Sequence, residues 1–488
     1  APGLGVPRPV ACAADGPRRP NLLFIMTDQH RWDALGCTGG WVRTPNLDRL
    51  AREGALFTSC VTDSPICMPA RLCLATGLHC HNTGLWVNKK HSMSAQQGTW
   101  MKAVRAAGYR TSLWGKTHLY VDGPSVGRGD LTRNEALLRA YGLDDVDETD
   151  GPGGWTVSHM TKRWKELGLL KAWYEDSQGR YSGWKAGQLR VAARPSSLPL
   201  EEYYDVYVGR RAREYLRAYD RPEPWCCWVS FMGPHEPWDA PEPYASMYPP
   251  ASMPEPVPLA PWTGEPGRPS GYLNRRLRQW PQLAPGNAAA LRANYAGSVT
   301  LIDDQIGEIL GAVQARGELD NTAVIFSSDH GESNGDYGFV GKHVFLDGSV
   351  RIPLIVRTPE TARGAGGVVS DSPANLMDVG ATLVDLAGGE MTHRHFARSL
   401  LPTVRDPRVQ HRPEAISEFI GEVMIMNDRW KGVLNRDGQM YMLFDRSKDP
   451  QEQDNLAGRP AGAHAELELR SRLLEHLVRT TGADHRTQ

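Results

Sequence analysis

Four short apolar runs in this chain stop abruptly at clusters of chemistry-bearing polar side chains. Residues 22–26 end in Thr27-Asp28-Gln29, and residues 111–114 end in Gly115-Lys116-Thr117-His118. Residues 226–232 end in Gly233-Pro234-His235, and residues 324–327 end in Ser328-Asp329-His330-Gly331. A fifth run covers 353–356, and helical patterns fall at 44–53, 100–107, 202–219 and 288–316. Short apolar runs alternating with helical stretches predict an α/β fold with a large, mostly parallel sheet sandwiched by helices. In such open sheets ligands bind beyond the carboxyl ends of the strands. The four endings therefore predict one site, assembled from segments up to about 300 residues apart.

At 488 residues the chain can bury a large core and carry a subsidiary domain. The expected layout is a flexible tail at 1–19, a catalytic domain at 20–405 with inserts near 151–190 and 236–285, and a C-terminal subdomain at 406–488. The first insert carries Trp155, Trp164, Trp173 and Trp184, which either shape a pocket or pack a small core of their own. The second insert is dense in proline and reads as an irregular surface excursion. After residue 405, stretches 414–420, 430–435 and 440–444 read as antiparallel strands. Arg436-Asp437-Gly438-Gln439 is a hairpin turn signal, and 463–480 an amphipathic helix, making a small α+β unit.

A net charge of −1, from 55 basic and 56 acidic residues, excludes broad binding to nucleic acid or anionic membrane. No apolar run approaches the roughly 18–20 residues of a membrane span. The first 20 residues lack the apolar core of a signal peptide. A cytoplasmic location is favoured, or a secreted or periplasmic one if a signal was removed before residue 1. Eight cysteines at low density, with no Cys-x-x-Cys, require neither a disulfide framework nor a zinc knuckle. The quaternary state is left open and is compatible with an oligomer.

The strand endings carry their own chemistry. Asp28, Gln29, Asp329 and His330 form a set suited to a hard divalent cation, with Asp28 as a helix cap the plain alternative. Arg71, Lys116 and Lys342 gathered in one pocket call for an anion, which a sulfate or phosphate ester supplies. His118 and His235 are the candidate acid–base groups. Cys67-Met-Pro-Ala-Arg71 is more than a thiol near a charge, because its spacing is a recognisable signature.

That signature, with Asn21-Leu-Leu-Phe-Ile-Met-Thr-Asp-Gln29, Thr44-Pro-Asn-Leu-Asp48, Gly115-Lys116-Thr117-His118, Ser328-Asp-His-Gly331, Gly341-Lys342-His343, Val350-Arg-Ile-Pro-Leu354 and Asp449-Pro450, resembles the type I sulfatases of the alkaline phosphatase superfamily. The resemblance implies an alkaline-phosphatase-like fold and a sulfuric ester hydrolase. It implies that Cys67 is oxidised to formylglycine by a formylglycine-generating enzyme, and that its hydrate is the nucleophile. Asp28, Gln29, residue 67, Asp329 and His330 would hold one divalent metal, calcium favoured over manganese or magnesium. Arg71 and Lys116 would polarise the diol, and His118 would accept a proton from its second hydroxyl. His235 and Lys342 would bind the sulfate and assist the leaving oxygen. Attack on sulfur would expel the alcohol, and loss of sulfate would restore the aldehyde.

Gln29 stands where many sulfatases have a second Asp, and His330 where many have Asn. Both features resemble the choline-sulfatase-like and phosphonate monoester hydrolase-like branch; Asn88 and Thr117 fall where the phosphonate monoester hydrolases have substrate-contacting polar groups, and His343 is a further substrate-binding candidate. The expected substrate is a small anionic ester, such as a sulfated sugar or an aryl or alkyl sulfate. The alternatives are a phosphonate monoester or phosphodiester on the same site, and a non-catalytic sulfatase-like binding protein. The intact set of lysines, histidines and metal positions opposes the last.

Overall fold

The structure is a computed structural model that describes residues 19–121, 129–150, 156–181, 193–265, 269–279, 283 and 285–481. Nearly all of the expected N-terminal tail lies outside these residues, as do Trp155 and Trp184 of the first insert.

The strands that build the main body are β1 (Asn21–Thr27), β2 (Ala55–Phe57), β3 (Cys60–Val61), β4 (Arg110–Gly115) and β5 (Asp145–Glu148). They continue with β6 (Trp225–Ser230), β7 (Thr322–Ser328), β8 (Leu354–Arg357), β9 (Val368–Ser370) and β10 (Ala374–Asn375). Eight of them form one sheet in the order β5-β4-β6-β1-β7-β8-β2-β9. β8 runs antiparallel to both β7 and β2, and all the other pairings are parallel. β3 and β10 make a separate parallel pair.

β1 reads Asn-Leu-Leu-Phe-Ile-Met-Thr, and every residue of it is buried. Side chains alternate between the faces of a strand. Leu22, Phe24 and Met26 therefore enter one core with Trp100, Trp228 and Leu383, while Leu23 and Ile25 enter the other with Val208, Ile306 and Phe326. A continuous apolar run is what a strand covered on both sides requires. Helices Trp100–Ala106 and Asp378–Leu386 cover the first face, and Tyr204–Ala218 and Pro285–Ala315 the second. Trp164 and Trp173 pack against each other, with ring centroids 4.8 Å apart, and belong to the second core. These two tryptophans pack rather than line a pocket.

Beyond the main sheet, β11 (Ala415–Phe419), β12 (Glu422–Met426), β13 (Trp430–Leu434) and β14 (Met440–Asp445) form an antiparallel meander. Helix Ala463–Thr481 packs on it through Ala465, Leu469 and Leu473. β12 was not expected from the sequence. Ile420 and Gly421, both at positive φ, turn the chain there in two residues.

The buried Lys431 on β13 ties this sheet to the main body. Its Nζ donates to Asp347 Oδ1 at 2.7 Å and to Glu452. Burial opposes the charge on Asp347, but Lys431 and Arg351 outweigh it and hold the carboxyl well below its usual range. Removing one partner of a buried ion pair leaves uncompensated charge, a loss of about 3–5 kcal/mol. Lys431→Ala is therefore expected to lower the thermal midpoint clearly at neutral pH. Scanning calorimetry of both proteins checks this, and an unchanged midpoint would count against the tie.

Candidate active site

The position of Cys67 is set by a helix start. Ile66 is extended, and the helix Cys67–Thr76 begins at Cys67 and is buried along its whole length. Pro69 sits in the first turn, where its missing N–H removes no intrahelical bond. Arg71 lies four residues after Cys67, one turn on and on the same face. Gly77, at φ 68°, ends the helix with its N–H donating to Cys73 O. Asn88 Oδ1 accepts the Met68 N–H at 3.0 Å, satisfying one of the unpaired donors at the helix start.

Arg71 points into the ends of four strands and is fully buried. Its Nε donates to Asp329 Oδ2 at 2.8 Å and its Nη2 lies 3.3 Å from Asp28 Oδ2. Nη1 donates to Lys116 O at 2.7 Å and to Ser230 Oγ at 3.0 Å. Lys116 Nζ donates to Asp28 Oδ2 at 2.6 Å. Burial opposes the charge on Asp28, but Lys116, His235, Lys342 and Arg71 together hold its carboxyl well below the ordinary range. Asp28 is thus not a helix cap, the plain alternative from sequence.

The thiol sits over this cluster. Cys67 Sγ is 3.1 Å from His330 Nε2, 3.2 Å from Lys342 Nζ and 3.6 Å from Asp28 Oδ1. One donor atom each from Asp28, Cys67, Asp329 and His330 lie within 4.8 Å of one another, all buried. His330 Nδ1 is 3.0 Å from Gly331 O, so Nε2 is the nitrogen that faces the cluster. Lys342 Nζ also donates to Gln29 Oε1 at 2.6 Å. Gln29 holds a left-handed backbone, φ 68°, bracketed by its N–H on Asp329 Oδ1 and by Tyr295 OH on its carbonyl.

The two histidines differ. His118, at φ 56°, is buried with neither ring nitrogen hydrogen-bonded. Burial first, then Lys116 and Arg71, depress its pKa well below the ordinary imidazole value. A neutral imidazole among cations is a proton acceptor. His235 directs Nδ1 at Glu236 O, 2.6 Å away.

Two of the expected substrate contacts have other partners. Thr117 is fully buried, and its hydroxyl donates to Glu148. His343 Nδ1 meets Arg276 Nη1 at 3.1 Å, and its ring packs on Phe419. Sequence reasoning missed Ser230, Glu236, Glu332, Glu148 and Arg276. Glu236 directly follows His235 and Glu332 stands two residues after His330, so adjacency to a strand ending was a usable signal. Arg276 lies in the proline-rich insert and gave none.

Residues 20–389 match the sulfatase family profile, and residues 335–479 match one described as N-sulphoglucosamine sulphohydrolase, C-terminal. The chain belongs to the sulfatase family. This sulfatase is 29% identical to the multifunctional alkaline phosphatase superfamily protein PehA of Trinickia caryophylli, over 91% of this chain and 92% of that one. It is 28% identical to the choline-sulfatase of Rhizobium meliloti, over 91% and 83% of the two chains. The phosphonate monoester hydrolase of Agrobacterium radiobacter superposes with a TM-score of 0.77 at 26% identity, over 95% and 96%. Fold class, family and hydrolase character agree with the expectation from sequence. Among the described residues no helix is long and apolar enough to cross a membrane.

Glu148 supplies a pH test of the wall behind Lys116. Burial pushes its carboxyl from 4.5 up to about 7, against hydrogen bonds from Thr117 and Tyr120. Between these pH values the folded state keeps a proton that the unfolded state has lost, so stability falls as pH rises. The drop is complete above about pH 7 and amounts to roughly 3 kcal/mol. Glu148→Gln should flatten this slope. The difference in urea midpoints between variant and wild type, followed across the window, measures it; parallel curves would contradict the assignment.

Proposed function

We propose that this sulfatase hydrolyses a small anionic sulfate ester to an alcohol and inorganic sulfate, through a formylglycine made from Cys67 and one divalent cation. The observation that carries this reading is the end of β4. There Lys116 reaches Asp28 beside the Cys67 position, and His118 offers an unpartnered ring in the same buried cluster. The donors of Asp28, Gln29, Asp329 and His330 fit a hard cation, since they are carboxylate and amide oxygens with one imidazole. Calcium is the favoured ion, with manganese or magnesium the alternatives. When present, the cation supplies Lewis-acid polarisation of the ester oxygens, and the hydrated aldehyde at position 67 supplies the attacking hydroxyl.

The chain's own residues do the rest. Arg71 and Lys116 fix the carboxylates and hold positive charge against the nucleophile. Lys342, 3.2 Å from Cys67 Sγ, neutralises charge developing on the transferred group. His235 has Nδ1 tied to Glu236 O, and its imidazolium form would give the Nε2 proton to the leaving oxygen. His118 takes a proton during the second half of the cycle. Asn88 and Thr117 act here by holding the Cys67 helix and the β4 end. Maturation requires a formylglycine-generating enzyme.

A second reading, phosphonate monoester or phosphodiester hydrolysis, is favoured by two observations. Gln29 and His330 stand in the donor set, and the similar structure from Agrobacterium radiobacter is a phosphonate monoester hydrolase. Rates on paired aryl sulfate, aryl phosphonate and aryl phosphodiester decide between them. A clear preference for either phosphorus ester would replace the first reading.

Protein made with the maturation enzyme should show the mass of the aldehyde at position 67. Cys67→Ala should lose at least about 10⁴-fold in kcat with the fold intact. An unmodified thiol in fully active protein, or an active Cys67→Ala, would overturn the mechanism. His118→Ala should release about one alcohol per protein in a burst and then stall, as expected when the second step loses its base. Steady turnover at the wild-type rate would remove His118 from that role.

A further inference from the structure

The side-chain amide of Gln29 is held from three sides. Its Nε2 donates to Glu236 Oε2 at 2.6 Å and also to Glu332 Oε2. Its Oε1 accepts from Lys342 Nζ at 2.6 Å. The chemistry of these partners fixes the amide's direction. A flipped amide would set its oxygen against two carboxylates and its NH2 against an ammonium, losing all three bonds at once.

Glu332 is itself immobilised. It is fully buried, and its Oε1 accepts the N–H groups of Asn334 and Gly341. Glu236 lies 3.4 Å from His235 Nδ1. Lys342 and Arg276 are the lysine and arginine facing this acidic pair; burial lowers the pKa of Arg276, which Tyr272, Glu332 and Glu236 oppose. Arg276 is positioned by Val340 O and His343.

We propose that Glu332, with Glu236, is a positioning pair that turns Gln29 into a metal ligand. By accepting both amide hydrogens it leaves Oε1 on the side of Lys342, whose Nζ lies 3.2 Å from Cys67 Sγ in the cluster with Asp28, Asp329 and His330. It also draws electron density onto that oxygen, as carboxylates do behind metal-bound histidines. The negative charge that an amide lacks is placed one bond further out. This inference rests on the metal-dependent reading of the site.

The test is calcium and manganese titration of the chelator-treated, full-length protein by calorimetry, which needs no substrate. Groups of this kind typically carry 10–100-fold in metal affinity. Glu332→Gln, whose single amide oxygen cannot accept from Gln29 and from the Asn334 and Gly341 N–H groups at once, should therefore weaken binding by roughly 10–100-fold. Glu236→Gln should give a smaller loss in the same direction. Gln29→Asp alone should also bind poorly, because three carboxylates would then face one another. The double variant Gln29→Asp with Glu332→Gln exchanges the amide and the acid, and should recover most of the affinity.

Recovery also separates positioning from misfolding, since a merely structural defect would not be repaired by a second change. If Glu332→Gln binds as the wild type does, or if the exchange fails to recover affinity while both proteins keep the wild-type thermal midpoint, the pair has no such role. If the wild type itself binds neither cation, the metal reading of the site fails first and the inference falls with it.

Discussion

The site depends on one guanidinium. Arg71 joins β1 through Asp28, β7 through Asp329, β6 through Ser230 and β4 through the Lys116 carbonyl. No other residue described here bonds to the ends of all four strands. A fully buried cation is tolerable when carboxylates balance its charge and hydrogen bonds replace its water. The planar fork of arginine can face two carboxylates, a carbonyl and a hydroxyl together, which a lysine ammonium cannot do over the same span. The four strand ends and the helix that carries Cys67 are thereby locked into one geometry.

That lock sets the electrostatics of everything around it. Arg71, Lys116 and Lys342 face Asp28 and Asp329, with Glu236 and Glu332 behind Gln29 and Arg276 beyond them. Four cations against four carboxylates leave the cluster near neutrality. A dication entering with a singly charged ester changes the balance by only about one charge, which a buried site can accept. The neutral His118 follows from the same arrangement. Lys116 and Arg71 add to burial in disfavouring its charged form.

How much of this was legible depends on where the sequence signal comes from. β1, β4, β6 and β7 could be read because an apolar strand that ends at a ligand must switch abruptly to polar residues. The direction of β8 could not, because an apolar run looks the same either way. β5 reads Asp-Val-Asp-Glu, and its acids are masked by partners far away in sequence, such as Tyr207 and Arg211 on Asp147. The Cys67 helix is buried on every side and has no amphipathic period, so it was visible only through its motif. Glu332 and Glu236 were missed because their meaning lies in sharing one amide, a contact across more than 200 residues for Glu236 and 300 for Glu332.

The choice between sulfur and phosphorus is then not primarily one of charge. A sulfate monoester, a phosphonate monoester and a phosphodiester each carry about one negative charge near neutral pH. A near-neutral cluster with one cation attracts all three alike. They differ in what fills the fourth position on the central atom. A sulfate ester presents three equal oxygens, whereas a phosphonate brings a carbon substituent and a diester a second alkoxy arm. Discrimination must therefore come from the room beside the transferred group. Lys342 Nζ stands 3.2 Å from Cys67 Sγ, and Gln29 Oε1 accepts from it. An amide at position 29, directed by Glu332, fixes that lysine without adding a charge of its own.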